Sequence, residues 1–398
     1  MKHVKGGITA PKGFLASGIN CGIKKEKKDL ALIFSEKPCV ATGLFTLNKV
    51  KAAPVILDIQ KIHLGKKARA IIANSGNANA CTGRKGLSDA REMAATVARA
   101  AGITEEEVLV ASTGKIGEML PIQKVKSGVT ELAGKLSRNG GSNAARAIMT
   151  TDLFMKESAV EIRAGGKNVR IGGIAKGSGM IHPGLATMLC FITTDAVIDR
   201  GAIVPALQSA VNKSFNMITV DGERSTNDTI LILANGAAAN RKIKEGVSGY
   251  KEFCQALACV CADLAKKVVQ DGEGATKFIE IKVKGASSFL EAKDSAFFIA
   301  RSNLVKTAIF GEDPNWGRIF SAIGNSSAGF IQDMVEISIN GVRVVSKGMP
   351  VPNREKAKKA LKGRNVCIEV NLNMGSEEAV VWTSDLSYKY VKINAAYN

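Results

Sequence analysis

Aromatic residues make up only 5% of the 398-residue chain, and histidine appears three times, as His3, His63 and His182. The net charge of +19 would suit a polyanion. Nucleic-acid binding nevertheless needs a basic stretch interleaved with rings on which bases stack, and none is present. So few histidines leave a histidine-rich metal site unexpected. The cysteines at 21, 39, 81, 190, 254, 259, 261 and 367 contain no C-x-x-C pair, so neither zinc nor a redox dithiol is expected, and they read as buried free thiols. Behind the basic N-terminus, Met1 to Gly7, no apolar core follows. Neither a secretory signal nor an anchor is therefore expected, and the cytoplasm is the expected location. The longest uncharged stretch, 18 residues from Gly177 to Thr194, is broken by Gly, His and Pro. A membrane span needs about 20 mostly apolar residues, so no membrane partner is expected.

That uncharged stretch reads instead as a glycine-rich loop feeding a buried strand, from Leu185 through Phe191 to Thr194. Thr187 is its odd member. It is either an ordinary strand threonine or a hydroxyl nucleophile preceded by the small Ala186. In the second case, backbone N–H groups freed by Gly177, Gly179 and Gly184 approach a reacting carbonyl. The excess of positive charge suits small carboxylate substrates as well as it suits a merely solubilising surface.

Around this stretch the chain alternates strand and helix patterns. Strands are expected at 29–34, 40–45, 70–73, 108–111, 159–162 and 169–175, and helices at 88–101, 121–137, 142–149 and 202–215. Thr104 to Glu107 forms a capping box. The polar loop Asn74-Ser75-Gly76-Asn77-Ala78-Asn79-Ala80 lacks the lysine and spacing of a P-loop. Ser112-Thr113-Gly114 stands at a strand end, where hydroxyls can donate to an oxyanion or simply make a turn. Thr150-Thr151-Asp152 is a helix-end polar cluster, and Asp221-Gly222 marks a turn, with Asp228 buried beyond it.

A long helix from Tyr250 to Val269 aligns Phe253, Leu257, Val260, Cys261, Leu264 and Val268 on one face. It ends at a glycine loop that holds Glu273 as an exposed acid. Strands follow at 278–283 and 297–300, then a helix near Ser302 and a polar turn at 311–318. Five more stretches, 335–339, 342–345, 366–370, 379–383 and 388–393, read as strands around a basic helix at 353–362. The class is α/β, sheets with helices on their faces.

Several stretches together resemble one family. Lys176-Gly177-Ser178-Gly179-Met180, Pro183 and Ala186-Thr187-Met188-Leu189 are similar to the self-cleavage site of the ornithine acetyltransferases, the glutamate N-acetyltransferases of arginine biosynthesis. The runs at 74–80, 218–229 and 311–318 and the C-terminal tail resemble the same family. The resemblance implies layered sheets of the α-β-β-α sandwich type and autocatalytic cutting between Ala186 and Thr187. The products would be an α chain of residues 1–186 and a β chain of residues 187–398, assembled as a heterotetramer of two each. It further implies that Thr187 is the nucleophile, that Thr113 and Gly114 stabilise the oxyanion, and that Thr151, Lys176, Thr187, Glu273 and Asn394 bind substrate.

The implied reaction passes acetyl from N-acetylornithine through Thr187 to glutamate. No cofactor or metal is implied, and acetyl-CoA is a conceivable second donor. A free α-amine titrates near 7.7 to 8.0, so the new N-terminus can act as base for its own hydroxyl. The chain departs from the family at Lys115, Glu223 and Arg224, and no hydroxyl residue stands five positions after Asn394. Two alternatives remain on sequence grounds: an N-terminal-nucleophile amidase or aminopeptidase, and an uncut basic anion-binding protein.

Overall fold

The computed structural model describes residues 1–183 and 188–396. The expected strand start at Leu185, the Ala186–Thr187 bond and the proposed nucleophile Thr187 lie outside the described residues. The chain forms two compact units, one of Met1–Asn216 with Glu223–Val268, the other of Met217–Gly222 with the chain from Val269 onward.

The first unit contains strands β1 (Lys2–His3), β2 (Phe14–Ile19), β3 (Leu30–Phe45), β4 (Ala68–Asn77), β5 (Val108–Lys115), β6 (Lys156–Ala164), β7 (Lys167–Lys176), β8 (Leu189–Thr194) and β9 (Thr229–Ala234). They run in the order β1-β6-β7-β8-β9-β3-β4-β5, with β2 also on β3. Two strands were expected across 29–45, and one is found. Its register breaks between Phe34 and Cys39. Residues up to Phe34 pair with β4 and those from Val40 pair with β9, so one bent strand serves both halves of the sheet.

The two halves face each other across a core in which Ile33, Ile71 and Leu109 meet Ile174, Phe191 and Leu231. Helices α1 (Ala53–His63), α2 (Gly83–Ala101), α3 (Ile122–Gly134), α4 (Gly141–Ala147), α5 (Arg200–Asn212) and α6 (Tyr250–Gln270) complete the unit, the last two residues of α6 belonging to the second. Met93 and Val97 of α2 and Val125 and Val129 of α3 cover the outer face of β4 and β5, over Ile72 and Val110. On the far side, Leu264 of α6 lies over Gly173, where a Cβ would come within 3.1 Å of Leu264 Cδ1. The layers are therefore helix, sheet, sheet, helix. The whole predicted face of α6, from Phe253 to Val268, is buried. Each such side chain contributes about 1.5–3 kcal/mol.

The second unit has a six-stranded sheet of β10 (Phe278–Ala286), β11 (Glu336–Ile339), β12 (Val342–Ser346), β13 (Met349–Pro350), β14 (Asn365–Asn371) and β15 (Glu377–Ser384), in the order β13-β12-β11-β14-β10-β15. Its helices are α7 (Phe289–Arg301), α8 (Asn303–Phe310), α9 (Trp316–Gly324), α10 (Arg354–Ala360) and α11 (Tyr388–Ala395).

Three expectations fail here. Residues 297–300 are helical, not a strand. Four apolar residues carry no period, and the helix is set further back, by the Ser288 cap and by Ala292, Ala296 and Ile299 on a buried face. Residues 388–393 alternate like a strand but form α11, capped by Ser387 and with no buried residue, so no sheet face selects the alternation. The polar turn at 311–318 already contains the start of α9, capped by Asn315. The cysteines are free, as expected, but only Cys39, Cys190 and Cys261 are buried, and Cys81 is exposed. Its loop position turns it outward.

Candidate active site

In the first unit β5 and its parallel partner β4 bring Ser75 opposite Thr113 and Gly76 opposite Gly114. At Gly114 φ is 138°, and a Cβ there would lie 2.3 Å from the Gly76 carbonyl carbon, so only glycine fits. The 74–80 run frames this strand end. Asn227 Nδ2 donates to Ala78 O at 2.6 Å and Ser112 O at 2.8 Å, Ser112 Oγ donates to Asn74 Oδ1 at 2.6 Å, and Asn74 Nδ2 donates to Asn77 O at 2.8 Å. These amides tie the chain's own carbonyls together.

Lys176 ends β7 opposite Leu189, two residues beyond Thr187. It is only 2% exposed. Its ammonium donates to Thr150 Oγ1 at 2.8 Å and Thr113 Oγ1 at 3.4 Å, and lies 3.9 Å from Asp152 Oδ2. Thr113 thus accepts from Lys176, and its own O–H makes no donation among the described residues.

Asp152 organises the cluster. Its Oδ1 accepts from Lys156 Nζ at 2.7 Å and Gly177 N at 2.8 Å, and its Oδ2 accepts from Thr150 N at 2.9 Å. Burial opposes its ionisation, but Lys176, Lys156 and the Gly177 N–H outweigh burial and hold the carboxyl well below the usual carboxylate range. Thr151 Oγ1 lies 2.7 Å from Ser178 Oγ. Nearby, burial pulls the Lys24 ammonium down to about 8, Asp29 opposing and Lys176 assisting. Its Nζ donates to Met149 O.

Sequence reasoning took Asp152 for a helix-end residue and passed over Lys156. Nothing local marks Lys156, since a lysine at a strand start is ordinarily solvated. The departures from the family pattern sit harmlessly: Lys115 pairs with Glu118 at 3.6 Å near the surface, and Arg224 Nε donates to Pro183 O at 2.7 Å, holding the end of the glycine loop.

In the second unit Glu273 was expected on an exposed loop, but it is only 8% exposed. The loop is drawn in by Asp385, whose Oδ1 accepts from Thr276 N at 2.8 Å and Lys277 N at 2.9 Å, and by Ser387 Oγ, which donates to Gly274 O at 2.6 Å. Asn394 Nδ2 on α11 donates to Glu273 Oε2 at 2.9 Å. The structure therefore gathers Thr113, Gly114, Thr151 and Lys176 within one unit, and Glu273 with Asn394 within the other.

Known proteins resemble this chain along its whole length. An "Arginine biosynthesis bifunctional protein ArgJ" of Symbiobacterium thermophilum is 49% identical over 401 residues, covering 100% of both chains. One of the same name from Caldanaerobacter subterraneus subsp. tengcongensis is 50% identical over 402 residues, again covering 100% of both. The crystal structure of an ornithine acetyltransferase complexed with ornithine, from Mycobacterium tuberculosis, is 41% identical and covers 46% of this chain and 97% of that one, with a TM-score of 0.43, too low to transfer geometry. The ArgJ family model matches residues 15–398, and the chain belongs to the ArgJ family.

Proposed function

We infer that the protein is an acyltransferase of arginine biosynthesis that moves an acetyl group from N2-acetyl-L-ornithine to L-glutamate. The observation that carries this reading is full-length identity of 49% and 50% to proteins named for bifunctional action in arginine biosynthesis. The buried Thr113–Lys176–Asp152 cluster beside the glycine loop supplies the chemistry. That likeness favours transfer over hydrolysis by an amidase.

In the proposed course the Ala186–Thr187 bond is first cut by the chain itself, leaving α and β chains of residues 1–186 and 187–398, taken as two copies of each per assembly. Thr187 Oγ then attacks the acetyl carbonyl of N-acetylornithine while its proton passes to the Thr187 α-amine. The Thr113 hydroxyl and Gly114 N–H receive the oxyanion. The C–N bond breaks, ornithine leaves with that proton, and an acetyl ester remains on Thr187. The amine of glutamate attacks the ester, its proton goes to the Thr187 α-amine, and the threonine oxygen leaves and recovers a proton.

Lys176 meets a substrate carboxylate and Glu273 a substrate ammonium, with Thr151 and Asn394 fixing the remaining polar atoms. Acetyl-CoA serves as a second donor, which would account for the word bifunctional, and no resident cofactor takes part. The cytoplasm, where such precursors are made, is the proposed location.

Intact mass and N-terminal sequencing of purified protein test this reading. Two pieces, the second beginning at Thr187 and gaining an acetyl group on exposure to N-acetylornithine, are expected. A single 42.0 kDa chain without an adduct would refute it.

A further inference from the structure

The turn at 311–318 takes no part in the acetyl transfer proposed above, yet it walls a cavity of about 250 Å³ in the second unit. Pro314 and Trp316 line it from the turn, Val344 of β12 and Val351 beyond β13 line it from the sheet, and Asp313 and Arg354 carry its charge. Sites for drug-sized ligands occupy about 300–1,000 Å³, so this one suits a smaller molecule, of about 12 heavy atoms.

The protein leaves the polar groups of this cavity underused. The indole N–H of Trp382 donates to Glu280 Oε2 at 2.8 Å, whereas that of the half-buried Trp316 makes no hydrogen bond among the described residues. Such an indole ordinarily finds a partner. The Arg354 guanidinium, a fork of N–H donors, makes a single contact among the described residues, from Nη2 to Asp313 Oδ1 at 3.4 Å. A tight ion pair closes to about 2.7–2.9 Å. Asp313 is fixed by its neighbour: Asn315 Nδ2 donates to Asp313 Oδ2 at 3.1 Å while Asn315 Oδ1 accepts from Arg318 N at 3.3 Å. Gly317 adds room beside the ring. A Cβ there would meet nothing nearer than Asn315 Oδ1 at 3.6 Å, so packing does not require glycine.

A loose carboxylate–guanidinium pair opening on an apolar cavity is the complement of a zwitterion. A lone anion brought to Arg354 would also meet the Asp313 carboxylate, and a lone cation brought to Asp313 would meet the guanidinium. An ammonium and a carboxylate on one carbon answer both charges at once. We propose that this cavity binds a free α-amino acid with an apolar side chain, aromatic or branched. Its carboxylate takes the Arg354 fork and the Trp316 N–H, its ammonium takes Asp313, and its side chain lies against the Trp316 ring, Pro314, Val344 and Val351. The site binds without making or breaking a bond, and it stands whether or not Thr187 is a nucleophile.

Equilibrium dialysis of the purified full-length protein against radiolabelled L-phenylalanine, and in parallel L-leucine, tests the proposal. Phenylpropionate, which lacks the ammonium, and phenylethylamine, which lacks the carboxylate, serve as competitors. Uptake of one amino acid per chain is expected, with each one-charge analogue at least about 10-fold weaker, the scale of one lost charge-assisted hydrogen bond. Arg354→Gln and Asp313→Asn alter side chains that are 77% and 37% exposed, and each is expected to weaken binding about 10-fold or more. No uptake of either amino acid at about 1 mM overturns the proposal. So does an analogue that competes as well as the amino acid, which would mark a plain anion or cation site, and so does unchanged binding by both variants, which would place the ligand elsewhere. Should a variant not fold, the analogue series on the wild type decides.

Discussion

Two buried ammonium groups, Lys156 and Lys176, share the single carboxylate of Asp152, and neither has water to fall back on. Asp152→Asn is expected to lower stability by about 3–5 kcal/mol, read from the urea midpoint, because it removes the carboxylate that both buried cations share. The sign of its pH dependence follows from a folded-state value below the unfolded value of about 3.9: the contribution is complete above that pH and is lost as acid brings the solution down through the folded value. In the variant this acid-limb loss should vanish. Thr187→Ala is expected to stay uncut and inactive, on a gel and in an acetyl-transfer assay. Most of these residues were picked out of the sequence by resemblance to the family, because a hydroxyl–glycine pair at a strand end makes a turn as readily as an oxyanion site. Asp152 and Glu273 were misplaced because burial of an acid depends on residues far along the chain, Lys176 for one, Asp385 and Asn394 for the other.

Helix α11 comes closest to its unit's glycine loop at one backbone position. At Gly274 φ is 70°, and a Cβ would lie 2.5 Å from Tyr390 N. Gly274→Ala should push α11 away and separate Asn394 from Glu273, raising KM for the amino-acid substrates more than it lowers kcat, at a cost of more than about 1 kcal/mol in stability. Helix α1 is tied to β5 differently. Asp58 accepts Val110 N at 2.9 Å and 3.1 Å, and Lys61 donates to Glu105 O and Val108 O, both at 2.7 Å.

Burial pushes the Asp58 carboxyl up to about 8. A group raised in the folded state stabilises fully below its unfolded value and less as pH climbs toward the folded one, so stability should decline from about pH 4 to about 8. Asp58→Asn should flatten that decline in denaturation series at pH 5 and pH 8. Elements with a buried face, such as α6, were legible from periodicity alone. The exposed α11 was not, because alternation means a strand only where a sheet receives it.

The first unit draws strands from both sides of the expected cut. Every residue of β8 pairs with β7 on one side and with β9 on the other, and all six are buried. Cutting at Ala186–Thr187 therefore severs one covalent link and none of these ladders. Native mass spectrometry or gel filtration should show both pieces travelling together, and only denaturant should part them.

A polypeptide synthesised from Thr187 onward would begin with an apolar segment whose neighbour, β7, belongs to another molecule. Made alone it should clump through that bare flank, as unpaired apolar strands do. The proposed scission would then come after the architecture is complete, and its termini would be a record of folding already accomplished, with no return to a naive chain once they had been parted.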